Sequence, residues 1–103
     1  RNLLSKFSKS AKIKIVKNNH KTTDAFYGIL NMHDMDFDKL SMILKSIQNR
    51  TTELMVHPAY VDKNGDDFHQ TKQREIEIKL LTNNKIKNLI KKLNIKLTNF
   101  SQI

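Results

Sequence analysis

The sequence predicts an α/β fold with parallel strands covered by helices, and three observations carry that expectation. Leu40, Ile43, Leu44 and Ile47 fall at i, i+3, i+4 and i+7, and Ile86, Leu89, Ile90 and Leu93 repeat the spacing, as amphipathic helices do. Leu54, Met55 and Val56 are instead consecutive and apolar, with Glu53 before them and Pro58 after. Strands buried on both faces read this way, and such strands are usually parallel ones. The segments also alternate along the chain as helix, strand, helix, strand, helix, helix, strand, which suits right-handed crossovers in a parallel sheet.

Residues 2–11 place Leu3, Leu4 and Phe7 at helical spacing and read as the end of a helix. Residues 12–24 are polar and lysine-rich and read as a connection, with a short extended piece at Ile13–Val16. Residues 25–30, AFYGIL, predict a strand in which Gly28 marks a bulge or a close backbone approach. An acidic loop follows, and Asp36 is a good N-cap for the helix of Leu40 to Ile47. Residues 53–57, ELMVH, are the best strand, and residues 61–70 are a polar loop. From Thr71 the pattern is helical, with Ile76 and Leu80 one turn apart. Residues 94–98, NIKLT, alternate apolar and polar and predict a last short strand.

The chain has 103 residues with no cysteine, one proline and two glycines, which is room for one domain or part of one. A compact domain of this size buries somewhat over ~60% of its unfolded surface. Without cysteine there is no disulfide framework, Cys-based metal centre or thiol nucleophile, which fits a reducing cytoplasm. Apolar runs of about five residues are far short of the ~20 that a membrane span needs. The first residue is Arg1, not Met, so the expectation is a processed product, a trimmed chain or part of a longer protein.

The formal charge is +9, distributed as +6 over residues 1–20, −3 over 21–70 and +6 over 71–103. Lys12, Lys14, Lys17, Lys87, Lys91 and Lys92 could serve a polyanion. Against that, only three of the 19 basic residues are Arg, the type favoured for bidentate phosphate and guanine contacts. The many Asn and Ile residues beside the lysines point to an AT-rich codon bias and a solvated surface.

Among candidate functional groups, His57-Pro58-Ala59-Tyr60 stands at the carboxyl end of the best strand, where parallel α/β proteins bind ligands. Pro58 ends the ladder because it has no N–H to donate. A histidine there is either functional or a strand cap bonded to a neighbouring loop. Asp62, Asn64 and Asp66 mimic half a calcium loop, but the sixth and twelfth positions are Asp67 and Gln73, not Gly and Glu. His20, His33 and His69 have no metal-ligand spacing, and there is no phosphate loop or G-x-S-x-G elbow. Met32, Met35, Met42 and Met55 read as core fillers.

Read together, Thr51-Thr52-Glu53-Leu54-Met55-Val56-His57-Pro58-Ala59-Tyr60, Gln73-Arg74-Glu75-Ile76-Glu77, Leu81-Thr82 and Ile95-Lys96-Leu97-Thr98-Asn99-Phe100 resemble the C-terminal part of the YdjC-like carbohydrate deacetylases. That family has a T-E-L-M-x-H-P-G-Y strand end, an R-E-x-E helix, an L-T-S stretch and a final I-x-L strand. Thr23-Asp24-Ala25-Phe26-Tyr27-Gly28 is similar to its T-D-x-F-x-G segment, so the likeness covers residues 22–103. One departure is Ala59, where the family usually has Gly.

The resemblance implies the C-terminal part of a distorted (β/α) TIM-like barrel of the polysaccharide-deacetylase type. Residues 1–103 would be a single partial domain, with residues 1–21 a basic helix end and connection. It further implies hydrolysis of the acetamide of N-acetylated carbohydrates such as chitooligosaccharides. A divalent metal, typically Mg2+, is held in that family by one aspartate and two histidines. The metal polarises the acetyl carbonyl and activates water, and an acid protonates the leaving amine. By position His57 would be the general acid or a substrate contact, Tyr60 a substrate or loop contact, and Arg74 a substrate-binding residue or a structural partner of the cleft. The ligand motifs belong to the family's N-terminal half, and none occurs in this chain. The expectation is therefore a segment that neither binds metal tightly nor turns over alone and whose exposed edges make it marginal or self-associating. A cytoplasmic protein, homodimeric at full length, with no membrane or nucleic-acid partner completes this reading. The competing reading is a small basic α/β module for nucleic acid or another polyanion, with binding that falls steeply with salt.

Overall fold

A computed structural model describes residues 2–31, 33–65 and 71–103. The elements are helix α1 (Asn2–Lys17), strand β1 (Ala25–Tyr27), a 3-10 turn (Ile29–Asn31), α2 (Phe37–Ser46), β2 (Thr52–Leu54), α3 (Gln73–Leu81), α4 (Asn84–Lys92) and a 3-10 turn (Phe100–Gln102). β1 and β2 pair in parallel, with Ala25 opposite Thr52, Phe26 opposite Glu53 and Tyr27 opposite Leu54. The sheet with α2 as its crossover is the predicted α/β arrangement, reduced to two strands among the described residues.

The core explains why α2 sits where it does. Met35, Leu40, Ile43, Leu44, Leu80 and Ile86 are buried, with Tyr27, Ile47, Leu54, Leu81, Leu89, Ile90 and Ile95 packed around them. Thus the predicted apolar face of α2 faces α3, α4 and the sheet. Asp36 caps α2 as expected, its carboxylate accepting the Lys39 N–H at 2.8 Å.

Several predicted boundaries shift, each for a local reason. α1 continues through Ile13–Val16, where an extended piece was expected, because Asn18 and Asn19 are what stop it. Asn19 takes a left-handed φ of 57°, and the His20 N–H returns to the Ile15 carbonyl at 3.1 Å, a glycine-like helix ending made by asparagine. The strand predicted over 25–30 ends at Tyr27 because Gly28, at φ +109°, turns the chain into the 3-10 segment. The best strand, expected over 53–57, is paired over Thr52–Leu54, with one more ladder bond from the Met55 N–H to the Tyr27 carbonyl at 2.9 Å.

Residues 94–98 form no strand. Asn94, at φ 53°, ends α4 in the same left-handed manner, and Leu97 faces solvent. On α3 the predicted pair separates: Leu80 is buried, whereas Ile76 is exposed and Glu77 occupies the interior instead. Met35 fills the core as expected, but Met42 lies on the surface. Met32, Asp66 and His69 fall outside the described residues.

Candidate active-site segment

Two parallel strands end side by side, and their carboxyl ends form the edge on which the candidate residues stand. Gly28 follows β1 directly, and a Cβ built on it would lie 2.3 Å from the Met55 carbonyl oxygen. The sequence expectation of a close approach at Gly28 therefore has a specific partner, the backbone two residues before His57. Beyond Met55 the chain leaves the ladder.

The segment that follows is held by α3 rather than by another strand. The His57 N–H donates to Glu77 Oε2 at 2.5 Å, the Ala59 N–H to the Arg74 carbonyl at 3.3 Å, and the Val61 N–H to Glu75 Oε1 at 2.9 Å. Donors at alternate residues are the pattern of an extended chain presenting one edge. Pro58, which has no donor, lies between two of them, where it leaves no N–H to satisfy. Ala59 is not among the residues with positive φ, so its methyl sits there without backbone strain.

His57 is half-buried at the start of this segment, with Nδ1 away from solvent. Tyr60 lies three residues on and is 79% exposed. Arg74 stands in the first turn of α3, half-buried, with Nε and Nη1 inside. The fold thus joins His57 and Arg74 through the docking of the segment on α3, while Tyr60 projects from the surface of the same segment. The sequence singled out Arg74 of the R-E-I-E stretch but not Glu75 or Glu77, whose carboxylates do the docking. A charged residue in the line of the core-facing Leu80, three positions away, is the signal that could have found Glu77.

The remaining candidates assemble nothing comparable. Asp62 Oδ1 accepts the Asn64 N–H at 3.0 Å and closes a local turn. His20 and His33 are exposed. Among the described residues no three His, Cys, Asp or Glu side chains gather as metal ligands. A groove between α2 and α4, lined by residues such as Phe37, Met42, Lys45, Lys85 and Leu89, includes none of the strand-end residues.

Comparison with known proteins bears on this edge. The sequence model of a family described as YdjC-like protein matches residues 1–92. A carbohydrate deacetylase of Thermoanaerobacter pseudethanolicus (strain ATCC 33223 / 39E) is 40% identical over 93 residues, covering 87% of this chain. The chain spans 36% of the length of that relative. No solved structure matches.

Proposed function

The chain belongs to the YdjC-like family, and from that membership we propose that it forms part of a carbohydrate deacetylase, supplying the strand-end edge of the site. The observation that carries the reading is the fixed placement of His57 just past the paired end of β2, at the carboxyl edge where parallel α/β sheets take ligands. The similarity to a protein named carbohydrate deacetylase supports a carbohydrate substrate, and the acetamide of an N-acetylated sugar is the bond such an enzyme would cleave.

His57 is assigned as general acid or substrate contact. When water adds to the acetyl carbon and the C–N bond breaks, the amine leaves only as it gains a proton, and an imidazolium beside it supplies one. Tyr60 is assigned to the sugar, its exposed ring suiting a face-on contact, and Arg74 to holding the cleft wall. The described residues do not fit a metal site, and the chemistry assigned to them is the proton delivered at His57. The divalent ion, Mg2+ by family resemblance, is assigned to the part of the family fold that the match does not reach. In this reading the barrel is likewise the architecture of the full-length enzyme. No helix among the described residues is long and apolar enough to cross a membrane, and the lack of cysteine supports a cytoplasmic setting.

The test is acetate release from N,N′-diacetylchitobiose by the full-length polypeptide that carries this segment. His57→Gln should lower kcat by about 100-fold or more, in the range expected for removing a general acid. Unchanged turnover in that variant removes the assignment of His57. The 103-residue chain alone should release no acetate, and chelator-sensitive release by it would overturn the division of the site.

A further inference from the structure

We infer that Glu77, with Glu75, is a positioning residue, a clamp from α3 that receives the amides of residues 57–61 as a strand partner would and sets where the His57 imidazole sits. Its catalytic consequence rests on the deacetylase reading, whereas the clamp itself rests on geometry alone.

Among the described residues the last sheet bond is that from the Met55 N–H, and His57 lies two residues beyond it. From there each alternate amide is received by α3: His57 by Glu77 Oε2, Ala59 by the Arg74 carbonyl and Val61 by Glu75 Oε1. Glu77 is 2% exposed, among the most buried side chains of the molecule. A buried carboxylate is a costly way to fill a helix face, and an apolar residue of similar volume would pack there without the desolvation penalty. What leucine could not do is accept the His57 N–H. The carboxylate is therefore read as a device for placement, since holding a catalytic group within a fraction of an ångström requires its backbone to be fixed. Glu75 fixes the other end of the segment, four residues on, so that Tyr60 is held between two anchored amides.

Two measurements test the clamp. In the 15N-labelled 103-residue chain, the His57 amide proton should resonate downfield, as expected for a short bond to a carboxylate. It should move upfield in Glu77→Ala and much less in Glu77→Gln, which keeps a carbonyl acceptor. No movement in Glu77→Ala overturns the clamp. In the full-length enzyme, Glu77→Ala should lower kcat on N,N′-diacetylchitobiose by about 10- to 100-fold, the cost of a misplacement near 1 Å, with KM little changed. Glu77→Gln should recover most of that loss; equal damage from both variants, or none from either, overturns the positioning role. A parent enzyme without activity but with the amide signature intact would reject the deacetylase reading and leave the clamp standing. Loss of activity in His57→Gln but not in Glu77→Ala would overturn the positioning role and leave the deacetylase reading standing.

Discussion

At the scale of single residues, Gly28 and Glu77 show opposite degrees of legibility. A glycine inside an apolar run has few uses, so a close approach at Gly28 could be expected from sequence, and the Met55 carbonyl is what approaches it. Alanine there meets two penalties: a φ of +109° that L-residues rarely adopt, and a Cβ 2.3 Å from a backbone oxygen. The first alone costs about 1–3 kcal/mol. Gly28→Ala should therefore lower the urea midpoint by the equivalent of about 2 kcal/mol or more, and an unchanged midpoint would mean that the β1–β2 edge is laxer than drawn. Glu77 could not be read in the same way. Periodicity paired Ile76 with Leu80 at i, i+4, whereas the buried line runs through Glu77 and Leu80 at i, i+3, and the donor that satisfies the carboxylate comes from 20 residues earlier. A buried polar residue is understood only when its partner is known.

At the scale of elements, the positions of α2 and α4 were legible because four apolar residues on one face leave little choice of register. The helix ends were less so, since asparagine in a chain this rich in Asn, Lys and Ile does not by itself signal a helix end. Asn19 and Asn94 end α1 and α4 in left-handed conformations, and Asn83 caps α4, accepting the Lys85 N–H at 2.8 Å. The joint between α1 and the sheet is made by another short polar side chain. Asp24 exchanges bonds with Thr51, its N–H donating to the Thr51 carbonyl at 2.7 Å and its Oδ2 accepting the Thr51 N–H at 3.1 Å, while Lys12 of α1 pairs with Oδ1 at 3.3 Å. The Thr51 amide first, and then the Lys12 ammonium, hold the Asp24 carboxyl below its ordinary value. A group whose folded value is depressed contributes stability above its unfolded pKa and loses it as pH falls through the folded one. Asp24→Asn should accordingly lower the melting temperature at pH 7, and the gap from the parent should close as both are acidified below the ordinary carboxylate range. A gap that persists at low pH would assign the effect to lost geometry rather than charge.

At the scale of the whole molecule, the surface is too large for the mass. The structure exposes 8467 Å², against about 6,000 Å² for a compact monomer of 12.1 kDa, and so buries about half of its unfolded surface, less than the sequence led one to expect. The radius of gyration, 15.8 Å, likewise exceeds the roughly 13 Å usual for this length. The excess is apolar in places that matter: Phe7, Ile13 and Val16 on α1, Phe26 on β1, and Ile29 and Leu30 beside it are all exposed. Among the described residues each strand of the two-stranded parallel sheet also keeps one open edge, although parallel sheets are ordinarily covered. About 2,400 Å² of excess is roughly three times what one partner buries in a standard interface, enough for copies of the chain to cover one another. The 103-residue chain should therefore self-associate, its weight-average mass in sedimentation equilibrium rising above 12.1 kDa with concentration. The charge of +9 opposes that encounter, so added salt should strengthen association by screening it. Binding of a polyanion responds to salt in the opposite sense, because releasing condensed counterions is what drives it. One salt titration with and without an oligonucleotide thus separates the two readings of the basic surface. Association that grows with salt and no salt-sensitive oligonucleotide binding is the expected result, and Phe26→Lys, which places a charge on the β1 edge, should weaken the association. A chain that stays monomeric at every concentration would mean that its exposed apolar faces are not complementary to one another, and oligonucleotide binding that falls steeply with salt would restore the polyanion reading.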